Sequence, residues 1–144
     1  MTKTGRVMAV FLLLCSATLI ATGGLKIVYA HEFLLGIIRV GLIPEALRYA
    51  ASEWIPWFEV VLGIGLLNRT FRQSSAILTG MFGIGIVAYA ALALSLGNSA
   101  DCGCLGAFAG PGTWWPHFVA GAMFVSAVVA ERFILDGTAS RRVS

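Results

Sequence analysis

The sequence predicts an all-α membrane protein: a four-transmembrane-helix bundle with an interfacial or re-entrant segment between the first and second spans. Three observations predict it. Hydrophobic residues make up 58% of the chain, against roughly 45–50% in soluble domains. Charged residues make up 12%, against about 25%. The lysines and arginines sit mostly at the ends of apolar runs, where membrane topology puts them. A soluble core of this size would leave too little polar surface to face water, so lipid is the solvent for much of the outside. The 144 residues give room for one domain, 1–144. The formal charge of +3 is small, and no basic stripe with interleaved aromatics points to nucleic acid.

The first span is expected over about 7–29, behind Lys3 and Arg6. It is longer than the apolar core of a signal peptide, and no small-x-small cleavage site ends it. A lipoprotein reading of Cys15 fails because Leu14 stands where a small residue is needed. Residues Glu32 to Glu53 mix Leu34, Leu35, Ile37 and Ile38 with Arg39, Glu45 and Arg48, and Pro44 interrupts them. That segment is too short and too charged to span, so it is expected at the interface or re-entrant.

The second span is expected over about 52–67, with Trp54 and Trp57 as belt aromatics and Pro56 in its first turn. The third is expected over about 75–96. Ser75, Thr79 and Gly83 repeat there at four-residue spacing, which lets helices approach closely. The fourth is expected over about 114–135, with Ala122, Ser126 and Ala130 in the same pattern.

Orientation follows from the positive charges. With the N-terminus cytoplasmic, the inner segments hold seven lysines and arginines (Lys3, Arg6, Arg69, Arg72, Arg132, Arg141, Arg142) against three outside (Lys26, Arg39, Arg48). This favours both termini inside. The link from Gly97 to Gly112 has no lysine or arginine, as suits an outer loop. In a bacterial inner membrane that puts Cys102 and Cys104 on the periplasmic side, where disulfides persist.

The chemistry concentrates in Asp101-Cys102-Gly103-Cys104. Gly103 permits the bend that two cysteines one residue apart need in order to bridge. So small a ring departs from relaxed disulfide geometry, which makes the bond easier to reduce and a better oxidant. As a staple it is poor, because closing a short loop removes little unfolded-state entropy. Three readings stand: an inert pair, a soft-metal site and a thiol–disulfide exchange centre, of which exchange is favoured. No His-rich or Met-rich cluster accompanies the thiols, and no metal site is assigned. Asp101 disfavours the thiolate of Cys102 by like charge; compensation is expected from His117 or from amides heading the fourth span.

Glu59 lies ten residues before Arg69, about 15 Å along a helix, and so well inside the bilayer. An intramembrane carboxylate is a candidate functional group. Lys26 is its expected partner, with snorkelling of Lys26 to the interface as the rival and a structural ion pair weighed above proton handling. His117, after Pro116, reads as a capping or interfacial residue, with a base for thiol exchange as the sharper alternative. Trp114 and Trp115 read as belt residues rather than as a quinone platform, though a quinone is compatible as cofactor. Cys15 reads as a small buried hydrophobe.

The Gly24-Leu25-Lys26 end of the first span, Pro56-Trp57-Phe58-Glu59, and Cys102-Gly103-Cys104-Leu105-Gly106 before a tryptophan-led last span resemble the MauE family. These are methylamine-utilisation membrane proteins related to the DoxX-like group. The resemblance covers nearly the whole chain, and the cysteine loop is its most specific part. Family members usually carry phenylalanine where Leu105 stands. The resemblance implies a four-helix inner-membrane bundle that helps form or maintain disulfides in periplasmic proteins beside a thioredoxin-like partner. For methylamine utilisation the resemblance implies the disulfide-rich small subunit of methylamine dehydrogenase as client, but it does not carry that client over to this chain, because such domains also occur outside that pathway. Two alternatives belong to other classes: a membrane carrier for a soft metal ion such as copper or mercury, and a non-catalytic assembly subunit.

Overall fold

The computed structural model describes residues 3–97 and 114–139, with side chains as far as residue 134. The link that holds Asp101, Cys102, Gly103 and Cys104 lies outside the described residues. The elements are α1 (Lys3–Val28), α2 (Ala30–Val40), α3 (Glu45–Leu67), α4 (Arg72–Ser95) and α5 (Trp115–Ala139). Four of them, α1, α3, α4 and α5, are long and apolar enough to cross a membrane. The described residues contain no strand, and the all-α membrane bundle holds.

The bundle is built as two closely packed antiparallel pairs, α1 with α3 and α4 with α5. Helix α5 also packs on α1, and their shared core joins Leu12, Cys15 and Leu19 of α1 to Ala120, Phe124 and Ala127 of α5. Large apolar residues also point outward: Val61 is 62% exposed and Ile84 60%. In water such a surface would be an aggregation hazard; against lipid tails it costs nothing.

Small residues decide where backbones meet. On α4, Ser75, Thr79 and Gly83 are buried, in the register the sequence indicates. On α5 the register differs. Ala130 is buried as the sequence indicates, but Ala122 and Ser126 face outward, and Ser126 donates to the Ala122 carbonyl of its own helix at 2.8 Å. The close approach is made one residue earlier, at Gly121, where a Cβ would lie 2.8 Å from the Gly83 carbonyl oxygen. Both registers carry small residues, so spacing alone does not separate them.

Between the first two spans, the segment expected at the interface divides. Residues 30–40 form α2, whose buried Phe33, Gly36, Ile37 and Val40 repeat at helical spacing against the bundle. It ends at Gly41 in the left-handed region (φ 70°), whose N–H donates to the Ile37 carbonyl. Residues from Glu45 onward belong instead to α3, behind Pro44 at its N-cap. Of the charges that argued against a span, Arg39 is exposed on α2, and Glu45 and Arg48 stand exposed and half-buried on the first turn of α3. Pro56 is therefore interior to α3 rather than in its first turn. Having no N–H, it leaves the Ser52 carbonyl without its helical donor, a defect that membrane helices tolerate when neighbours pack around it.

Candidate functional site

That packing brings the polar groups together. Thr22 and Lys26, one turn apart, share a face of α1. Between them Gly23 meets α3 so closely that a Cβ would lie 2.7 Å from the Pro56 carbonyl oxygen and 3.0 Å from Glu59 Cβ. With the backbones this near, the Lys26 ammonium reaches the Glu59 carboxylate and forms an ion pair through Oε1. Both residues are buried, at 3% and 2% exposure. Thr22 places its hydroxyl 2.8 Å from the Thr18 carbonyl and 3.4 Å from Glu59 Oε2. Having one proton, it serves one acceptor at a time. From α2, Phe33 sets its ring 5.3 Å from the Lys26 nitrogen, a cation–π distance.

Beside the pair lies a cavity of about 380 Å³ that all five helices help to line. Its polar groups come from Thr22, Lys26, Glu59, Tyr89 and His117; most of the rest is aliphatic or aromatic. Of the sequence-indicated residues, the structure gathers Lys26, Glu59 and His117 here.

His117 is buried, at 1% exposure. The tryptophans that precede it part ways. Trp115 is 66% exposed, as a belt residue is, whereas Trp114 is 5% exposed. Trp114 packs against Tyr89 and His117, with ring centroids 6.5 and 5.2 Å apart. The reason is the start of α5: Trp114 stands just ahead of it and shares a buried cluster with Val40, Ala90 and Ala93. The link carrying Cys102 and Cys104 thus leaves α4 and enters α5 at the bundle end where Trp114, Tyr89 and His117 meet.

Cys15 is fully buried, with its thiol 3.8 Å from the Met123 carbonyl, a packing role. The sequence reading missed Thr22 and Tyr89, whose hydroxyls carry no pattern inside apolar runs. It also missed an ion pair between Arg72 of α4 and Glu131 of α5, 2.7 Å apart at the opposite end of the bundle. A carboxylate closing an apolar run, as Glu131 does, was the available signal.

A membrane bundle with a buried ion pair beside a mostly apolar cavity defines a multi-pass membrane protein. The match to residues 4–132 by the family described as methylamine utilisation protein MauE makes it specific: the chain belongs to the MauE family. Membership ties it to methylamine utilisation as a membrane accessory protein. No curated protein and no solved structure matches the chain.

Proposed function

We propose that this chain is the membrane component of a thiol–disulfide exchange system, with Cys102 and Cys104 as its exchanging pair. The observation that carries the reading is the Cys102-Gly103-Cys104 sequence on the link between α4 and α5, in a chain of the MauE family. The protein sits in the bacterial inner membrane with both termini cytoplasmic and the link periplasmic, a reading supported by seven positive charges inside against three outside. The partner is a periplasmic thioredoxin-like protein.

In exchange, a thiolate attacks one sulfur of a disulfide, forms a mixed disulfide and expels the other sulfur as thiolate. The second cysteine then resolves the mixed bond. In one direction this closes Cys102–Cys104 and leaves the partner reduced; in the other it reduces the pair and oxidises the partner. Like charge at Asp101 disfavours the Cys102 thiolate, so Cys104 is assigned as the attacker and Cys102 as the resolver.

The test is a trap in native membranes. Cys102→Ser is expected to accumulate a reductant-sensitive covalent complex with a thioredoxin-like protein, and Cys104→Ser to abolish it. The reverse pattern would exchange the two roles. Absence of any adduct from either variant refutes the exchange reading. Loss of copper or mercury binding in both variants would then favour metal carriage.

A further inference from the structure

We infer that the cavity beside Lys26 and Glu59 binds the ring head of a lipid-soluble quinone that enters from the bilayer between α3 and α4. The volume, about 380 Å³, falls in the range of about 300–1,000 Å³ typical of small-molecule sites. So does the character of the wall, mostly apolar with a few converging polar groups.

The mouth is identified by exposure. Met81 lines the cavity yet is 64% exposed. Gly85, one turn on, also lines it, and a Cβ built there meets nothing within 4 Å. Both belong to α4, and Ile55 of the neighbouring α3 lines the same cavity. An opening at this depth of an apolar helix faces lipid tails, so the ligand arrives dissolved in the membrane.

The charge inside selects the head group. The two formally charged residues lining the cavity, Lys26 and Glu59, already neutralise each other. A phosphate or carboxylate head would enter with no spare cation to meet it, and burying an unpaired charge is prohibitive. A neutral head fits. Phe33, Phe82, Tyr89 and Phe124 supply ring faces and edges for a flat body. The buried Tyr89 hydroxyl has no hydrogen-bond partner among the described residues, and a hydroxyl both donates and accepts. That versatility matches a ligand whose carbonyls accept hydrogen bonds when oxidised and whose hydroxyls donate them when reduced.

The choice of a quinone among neutral flat amphiphiles rests on the thiol–disulfide reading. A dithiol pair in a membrane is served by a two-electron carrier soluble in that membrane. One quinone and two thiols give one quinol and one disulfide, the two thiol protons passing with the electron pair.

The experiment uses the full chain in lipid nanodiscs, titrated with decylubiquinone and, separately, menadione, with tryptophan fluorescence as readout. Trp114 lies against the cavity-lining Tyr89 and His117, so saturable quenching is expected. Gly85→Phe and Met81→Phe fill the mouth from α4 and are expected to weaken binding at least tenfold. Met81 is already exposed, so its replacement keeps the fold intact. Leu13→Phe, on the lipid side of α1 at 54% exposure, is expected to bind as wild type. So is the Cys102→Ser/Cys104→Ser double variant, which reads the cavity apart from the thiols. Saturable binding together with thiols that never form an adduct would sink the exchange function while supporting the cavity assignment. Quenching that rises linearly with quinone, or mouth variants that melt normally and bind unchanged, overturns the inference.

Discussion

Replacing Glu59 with alanine removes the carboxylate but leaves the Lys26 ammonium at 3% exposure, between α1 and α3 and under the Phe33 ring. Breaking one side of a buried pair costs about 3–5 kcal/mol, because the surviving charge is uncompensated. For a domain of this size, about 2–4 °C is lost per kcal/mol, so the melting temperature in detergent, followed by helical circular dichroism, is expected to fall by about 10 °C. Glu59→Gln keeps an oxygen for Lys26 to donate to and is expected to fall less. Joining Lys26→Met to Glu59→Leu removes both charges and their desolvation, and is expected to recover most of the loss. Unchanged melting in both Glu59→Ala and Glu59→Gln refutes the reasoning. The Lys26 side chain would then reach water along its four-carbon stem, and the pair would bear no structural load.

Two further outcomes are expected. A membrane-impermeant thiol reagent added on the periplasmic side should label Cys102 and Cys104 after reduction and leave the fully buried Cys15 untouched; labelling of the pair from the cytoplasmic side alone would reverse the orientation. Trp114→Ala, at a 5% exposed position, should cost about 3–5 kcal/mol, whereas Trp115→Ala, at 66%, should leave helix melting within about 0.5 kcal/mol of wild type. Equal losses at the two tryptophans would contradict the placement of Trp114 in the buried cluster.

The bundle was legible because lipid demands long apolar runs and sends most cations to their ends. Lys26 and Glu59 were legible for the converse reason: a charge inside a span has to find a partner. What was hidden depended on where an interaction falls along a helix. Glu45 and Arg48 look incompatible with a span because sequence does not say that a helix can begin in water before its apolar part begins. Pro56 looks like a first-turn residue because isolated helices place proline there; the tight contact at Gly23 supports it in the interior instead. The small residues of α5 gave two possible registers, and only contact with Gly83 selects Gly121. Tyr89 and Thr22 entered the site by geometry alone.

The Lys26–Glu59 pair also bears on how the chain enters the membrane. Its partners are 33 residues apart, on spans made one after the other. While α1 and α2 emerge from the ribosome, the carboxylate that neutralises Lys26 is still inside it, 33 residues behind. A lone lysine held at the centre of a span costs about 2.5–3.5 kcal/mol at insertion, and less near a helix end, where its stem reaches the headgroups. Lys26 stands two residues from the end of α1, so the nascent span has a tolerable resting place with its ammonium in the interface. When α3 follows, Glu59 brings the opposite charge and pairs with Lys26. The first helix thus reaches its final depth as part of a two-helix unit whose second member carries the missing charge.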